Sequence, residues 1–226
     1  MNLDLYIITD EALSGGRSHA EIARRAVDGG AGTVQLRDKT CSLHELVRAG
    51  QEIRAITRCA GVTFIVNDRL DVALTCGADG VHLGQGDMRC DTARQLAPTA
   101  FIIGVSVGSV EEAMDAERSG ADYVALSPVF PTGSKSDAGP GQGLHLLKKI
   151  RSAVRIPVIA IGGIGPGNAG RVIDAGADGI AVISAVVSQT DITAAARNLA
   201  GIVAGRKRAG MPTPKSDQVS RRVQHE

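Results

Sequence analysis

The chain has 226 residues, 25 Lys and Arg against 24 Asp and Glu, 43% apolar residues and four cysteines. That length fits one α/β barrel with a sizeable core in a single domain, and the balanced charge excludes a whole-molecule field for nucleic acid. No apolar run approaches the ~20 residues that cross a bilayer, and Asp4 and Asp10 stand where a leader peptide would be basic, so a soluble, cytoplasmic protein with no membrane or nucleic-acid partner is expected.

Strand and helix alternate from the start. LYIITD opens the chain. Residues 18 to 28 follow with Ile22, Ala23, Ala26 and Val27 at helical spacing and Glu21 three residues beyond a Ser18 cap,. Gly30-Ala31 then leads into TVQL, and Ser42 with Glu45 forms a capping box for a helix whose buried face holds Leu46, Ile53 and Ile56,. FIVND at 64–68, GVHL after Gly77-Ala78, FIIGVS at 101–106, YVAL after Gly120-Ala121, VIAIGG at 158–163 and GIAV after Gly176-Ala177 complete eight strands. The remaining helices are predicted near 70–76, 88–96, 109–119, 143–153, 168–175 and 191–204. Strands apolar on both faces suit a parallel sheet covered by helices. The fourfold recurrence of Gly-Ala before a β-branched run marks a repeated unit. Closure as a (β/α)8 TIM barrel over residues 1–204 is expected, since no GxGxxG follows the first strand to support an open dinucleotide fold. Residues 205–226 hold six Lys or Arg and two acids with few apolar residues, and a disordered basic tail is expected there,. Cys41, Cys59, Cys76 and Cys90 form no CxxC pair, which disfavours zinc and a disulfide framework,.

Parallel strands bring all their C-terminal tips to one face, where loops build sites. The second strand ends Gln35-Leu36-Arg37-Asp38-Lys39, and period-two alternation sends Gln35, Arg37 and Lys39 to one side,. Two cations and an amide there suit an anion, although inward Arg and Lys can also close a barrel through ion pairs. Asn67-Asp68 ends the third strand and His82-Leu83-Gly84-Gln85-Gly86-Asp87 follows the fourth. Asp68 and Asp87 can share Mg²⁺, which takes one or two carboxylates plus substrate phosphates, or each can cap the helix after it. His82 reads equally as a hydrogen-bonded interior residue or a catalytic one. After the sixth strand runs a long loop from Pro128 to Gly143, in which Thr132, Gly133, Ser134 and Lys135 can meet an anion, or which can be a surface lid,. Gly162-Gly163 and Ile183-Ser184 end the last two strands, where barrels often bind phosphate through backbone N–H groups,.

QLRDK, ND, HLGQGD, GVSV, SPVFPTGSK, AIGGI and AVIS, in that order over residues 3–204, resemble the thiamine-phosphate synthase family of thiamine biosynthesis. The resemblance implies a (β/α)8 transferase that joins a hydroxymethylpyrimidine diphosphate to a thiazole phosphate or carboxythiazole phosphate with Mg²⁺. It further implies that diphosphate leaves first and the thiazole nitrogen attacks a methylene cation. It assigns Gln35, Leu36, Arg37, Asp38, Lys39, Asn67, Ser106 and Lys135 to the pyrimidine diphosphate, Arg37, Lys39, Ser106 and Lys135 being catalytic. Asp68 and Asp87 would be the metal ligands, and Thr132, Gly133, Ser134, Gly163, Ile183 and Ser184 would hold the thiazole phosphate. The family more often has Glu at Asp38 and Gly at Ser127. A thiazole tautomerase on the same barrel is the nearest alternative, but it carries a histidine just after the sixth strand, where this chain has Ser127-Pro128, and lacks the acid at Asp87. A non-catalytic barrel that binds a phosphorylated ligand is a third reading. Self-association stays open.

Overall fold

In the computed structural model, which describes residues 1–134 and 139–210, eight parallel strands close a barrel in chain order. They are β1 (Leu5–Ile8), β2 (Thr33–Leu36), β3 (Thr63–Asn67), β4 (Gly80–Leu83), β5 (Ile102–Val107), β6 (Tyr123–Leu126), β7 (Val158–Ile161) and β8 (Gly179–Val182). The helices are α1 (His19–Asp28), α2 (Leu43–Ala60), α3 (Leu70–Thr75), α4 (Cys90–Leu96), α5 (Val110–Arg118), α6 (Gly143–Ala153), α7 (Ala169–Asp174), α8 (Ser184–Val187) and α9 (Ile192–Gly210). The expected TIM barrel is therefore observed. Among the described residues no helix is long and apolar enough to cross a membrane. All four cysteines are free thiols.

The Gly-Ala recurrence has a single local cause. Each of α1, α3, α5 and α7 ends with a glycine in left-handed conformation, Gly30, Gly77, Gly120 and Gly176, at φ 94°, 67°, 89° and 101°. The glycine N–H bonds the carbonyl three residues back, and the following alanine N–H reaches the carbonyl five back, as Ala78 does to Ala73 at 2.9 Å. That pair of bonds satisfies the helix's last carbonyls and turns the chain into the next strand, a conformation L side chains resist.

Three of those turns carry an aspartate next in sequence. Asp79 Oδ2 accepts from Phe64 N and Arg54 Nη1 at 2.8 and 3.0 Å. Asp122 Oδ2 accepts from Ile103 N and Arg94 Nη2 at 2.7 and 2.6 Å, and Asp178 Oδ2 from Val158 N and Arg151 Nη1 at 2.8 and 2.5 Å. Each carboxylate thus fastens the start of β4, β6 or β8 to the preceding strand and to an arginine of α2, α4 or α6.

Two boundaries differ from expectation. Residues 184–187, where strand eight was expected to end at Ile183-Ser184 and no helix was expected, form the short helix α8. The final helix continues to Gly210, six residues past the expected end at 204. Its extension is held by Lys207 Nζ, which donates to Asp4 and to the Asp178 carbonyl. The rest of the expected tail, 211–226, and Lys135 lie outside the described residues.

Candidate active site

The strand tips converge on two neighbouring cavities. One, of about 360 Å³, is lined by Arg37, Lys39, Asn67, Asp68, His82, Asp87 and Ser106 among others. The second, of about 500 Å³, is lined by Thr132, Ser134, Gly163, Asn168, Ile183 and Ser184 among others. Ser127, at the end of β6, lines both.

In the first cavity the alternation along β2 holds. Gln35 and Arg37 face inward, whereas Leu36 is buried in the outer core, where a Cβ on Gly50 of α2 would lie 3.6 Å from its Cδ2. Arg37 Nη1 lies 3.5 Å from Asp10 Oδ2 and Lys39 Nζ 3.9 Å from Asp68 Oδ2. Leu36 and Asp38 do not line the cavity. The Asp38 carboxylate turns into its own loop, accepting on Oδ1 from Thr40 N, Thr40 Oγ1 and Cys41 N at 2.7, 2.8 and 3.0 Å. Burial pushes this carboxyl up, but those hydrogen bonds and that of His19 outweigh it and hold it well below the usual carboxylate range,.

Asp68 and Asp87 come together. Neither caps the helix after it, since α3 and α4 start without a side-chain cap. Asp68 sits at φ 62°, in a turn closed by Arg69 N donating to the Asn67 carbonyl at 2.7 Å, and its own N–H donates to the His82 carbonyl at 2.8 Å. A non-glycine residue in that region is strained and is retained where the surrounding structure fixes it. Asp87 Oδ2 accepts from Gly84 N at 2.7 Å. Burial, then a hydrogen bond and the charge of Asp87, push the Asp68 carboxyl up to about 6, with Lys39 and Arg37 acting against the shift,. Two carboxyls in contact beside two cations form a hard-oxygen donor pair. Among the described residues no group of three or more His, Cys, Asp or Glu could hold a metal, so a cation here would complete its shell with ligand oxygens or water, as Mg²⁺ does.

His82 resolves as a buried relay in the barrel interior. Gln35 Nε2 donates to Tyr6 Oη at 2.6 Å, Tyr6 and Tyr123 share a hydrogen bond at 3.0 Å, and Tyr123 Oη meets His82 Nδ1 at 2.9 Å. His82 Nε2 in turn meets Ser106 Oγ at 2.8 Å. Gly104 on β5 makes room for this chain, since a Cβ there would lie 2.0 Å from the Tyr123 ring. Each phenol has one hydrogen, and burial keeps both phenols protonated by raising their pKa. Where Tyr6 donates to Tyr123, Tyr123 donates to His82 Nδ1 and His82 Nε2–H to Ser106; the reversed order has His82 Nδ1–H donating to Tyr123 and Ser106 donating to Nε2,. In the first order Ser106 keeps its own hydrogen for another acceptor.

In the second cavity the loop after β6 is laid along the end of β7, with Val129 N and Phe130 N donating to the Ile161 and Gly162 carbonyls at 2.7 and 3.1 Å. Gly162 and Gly163 allow that approach: at φ 63°, a Cβ on Gly163 would lie 2.7 Å from Phe130 Cβ and from the Pro131 carbonyl. Ser134 Oγ donates to Ser184 Oγ at 2.9 Å and so ties the loop to α8. Gly133 lies between Thr132 and Ser134 in the same loop. Asn168 accepts from Gly165 N and donates to the Gly163 carbonyl, both at 2.8 Å, fixing the turn after β7. Sequence reasoning missed Ser127, Asn168, Asp10 and His19; Ser127 and Asp10 are polar residues within two positions of a strand end, the signal that could have found them, whereas Asn168 and His19 stand at helix starts and carry no such mark.

A sequence model described as thiamine monophosphate synthase matches residues 5–186. A thiamine-phosphate synthase of Methanoregula boonei is 67% identical over 199 residues, 88% of this chain and 92% of the relative. One of Methanocella arvoryzae is 60% identical over 210 residues, covering 93% and 99%. Among solved structures, a thiamine phosphate pyrophosphorylase from Pyrococcus furiosus superposes with a TM-score of 0.85 at 45% identity, over 91% of this chain and 97% of that one. A 3-hexulose-6-phosphate synthase, 19% identical with a TM-score of 0.65, shares the fold alone.

Proposed function

The chain belongs to the thiamine monophosphate synthase family, and on that premise we propose that it is a transferase that makes thiamine phosphate from a hydroxymethylpyrimidine diphosphate and a thiazole phosphate. The observation that supports this reading most is the shared wall at Ser127 between a cationic cavity and a glycine-bordered one. Two phosphorylated ligands seated in them would meet at that residue.

Arg37 and Lys39 hold the diphosphate, and their attraction strengthens as the carbon–oxygen bond breaks and charge gathers on the departing group. Asn67 and Ser106 add hydrogen-bonding groups, Ser106 from its place beside His82. Lys135, outside the described residues, is assigned to the same anion by the family resemblance. Gln35 supports the cavity from beneath, Leu36 anchors β2 in the outer core, and Asp38 shapes the loop that carries Lys39. Asp68 and Asp87 would hold the Mg²⁺, which when bound supplies positive charge to the diphosphate oxygens. Thr132, Gly133, Ser134, Gly163, Ile183 and Ser184 hold the thiazole phosphate or carboxylate through hydroxyls and backbone N–H groups. Both electrons of the breaking bond leave with diphosphate, and the thiazole nitrogen supplies the pair for the new carbon–nitrogen bond.

The test is to mix purified protein with both precursors, with and without Mg²⁺, and assay thiamine phosphate and diphosphate. Metal-dependent formation of both is expected. Metal-independent isomerisation of the thiazole alone would make the chain an isomerase, and binding without turnover would make it a binding barrel.

A further inference from the structure

His19, at the first turn of α1, is 4% exposed and takes no part in lining either cavity. Its ring joins two elements of the site from behind. Nδ1 meets Thr9 Oγ1 at 2.8 Å and Nε2 meets Asp38 Oδ2 at 3.2 Å. Thr9, fully buried at the tip of β1, also accepts from Arg37 N at 3.3 Å and donates its own N–H to the Gln35 carbonyl at 2.9 Å. An ionised carboxylate only accepts, so Nε2–H donates to Asp38 in either protonation state of the ring. Thr9 Oγ1 accepts from Arg37, so in the neutral ring its hydroxyl donates to Nδ1. The backbone of His19 is fixed in turn by Glu11, whose Oε1 accepts from His19 N at 2.9 Å.

The strut ends on Gln35, Arg37 and Asp38, the residues that lead into Lys39. Thr9 holds the Arg37 backbone, Asp10 faces its guanidinium, and Asp38, gripped by His19, closes the turn through Thr40 and Cys41. Long cationic side chains are flexible, and an electrostatic site works when its charges are held in place before the reaction begins.

We propose that His19 is a positioning residue for the transfer: through Asp38 and Thr9 it fixes the loop that presents Arg37 and Lys39 to a diphosphate ligand. The inference rests on the proposed use of that cavity, and it assigns the acid at Asp38 to loop geometry instead of substrate contact.

The experiment compares His19→Leu, His19→Gln and His19→Asn with the wild-type protein, by calorimetric binding of inorganic diphosphate in MgCl₂ and by steady-state kinetics with both precursors. His19→Leu is expected to weaken diphosphate binding and raise the KM for the pyrimidine diphosphate by about tenfold or more, with the KM for thiazole phosphate unchanged. His19→Gln, whose amide can donate to Asp38, recovers most of that loss. Unchanged diphosphate binding in His19→Leu overturns the proposal, as does an equal rise in both KM values or a folded His19→Gln that recovers nothing. If His19→Leu does not fold, His19→Asn, which keeps an acceptor near Thr9 but falls short of Asp38, must show the same selective loss, and wild-type binding there overturns the proposal. A wild-type protein that binds diphosphate but makes no thiamine phosphate sinks the functional reading, while the calorimetry still decides the role of His19.

Discussion

The Asp68 carboxyl at the tip of β3 and that of Asp87 from the β4–α4 loop line one cavity, and each raises the cost of ionising beside the other. Two acids in contact resist joint ionisation, and burial adds to the resistance. The raised Asp68 pKa means that the folded chain holds this proton more tightly than the unfolded one. Its favourable contribution is full below about pH 4 and is lost as the pH rises through about 6,. At pH 8 the pair therefore opposes folding,. Asp87→Asn should raise the metal-free Tm by about 2 to 4 °C, corresponding to about 1 kcal/mol after allowing for solvent screening. In the same variant MgCl₂ should no longer raise the Tm, and kcat/KM should fall by about 10²-fold, some 3 kcal/mol of lost transition-state stabilisation. Thermal melts with and without metal check this; a Tm that still responds to MgCl₂ as in the wild type would remove Asp87 from the cation site.

Asp38→Asn should destabilise the fold by about 1 to 2 kcal/mol at pH 7, because it weakens charge-assisted bonds from Thr40, Cys41 and His19,. The folded pKa lies below the unfolded 3.8, so this contribution is present above about pH 4 and vanishes as the pH falls through the folded value,. Urea titrations at several pH values should show the difference between wild type and variant shrinking on acidification. A difference constant down to pH 3 would contradict it.

Tyr123→Phe deletes the hydroxyl between Tyr6 and His82. His82 Nδ1 loses its partner, and the tautomer that the ring presents to Ser106 is no longer held from that side. The expected result is a drop in kcat of about tenfold with little change in the KM for thiazole phosphate. Unaltered kinetics would show that Ser106 works without the relay.

Gly163→Ala places a Cβ 2.7 Å from Phe130 Cβ and from the Pro131 carbonyl at a backbone φ of 63°. A cost of about 1 to 3 kcal/mol in stability is expected, together with a raised KM for thiazole phosphate and an unchanged KM for the pyrimidine diphosphate. Equal effects on both substrates would place the thiazole phosphate elsewhere.

The barrel was legible because its signals are local and repeated. A left-handed glycine followed by an alanine must stop a helix, and the β-branched run after it must pair. The inward face of β2 was legible by alternation, which put Gln35 and Arg37 on one side. What was hidden depended on distance in sequence. Tyr123 stands 41 residues from His82, so only closure of the sheet reveals their bond. His19 reads as an ordinary first-turn residue of an amphipathic helix until β1 and β2 are brought beside it. The helix α8 was lost because Ile183-Ser184-Ala185-Val186-Val187 continues the apolar pattern of β8. The end of α9 was lost because Gly205 and the basic run after it resemble a tail, whereas Lys207 is anchored on Asp4.

The carboxylate–arginine fasteners at Asp79, Asp122 and Asp178 recur at the starts of β4, β6 and β8, on the rim opposite both cavities. Rigidity and chemistry are thereby assigned to opposite poles of one molecule. Each fastener is a separate copy of one device, so losing any one leaves the other two to keep the cylinder round. The upper loops are then at liberty to diverge in sequence, and a new specificity can be tried there without rebuilding the foundation.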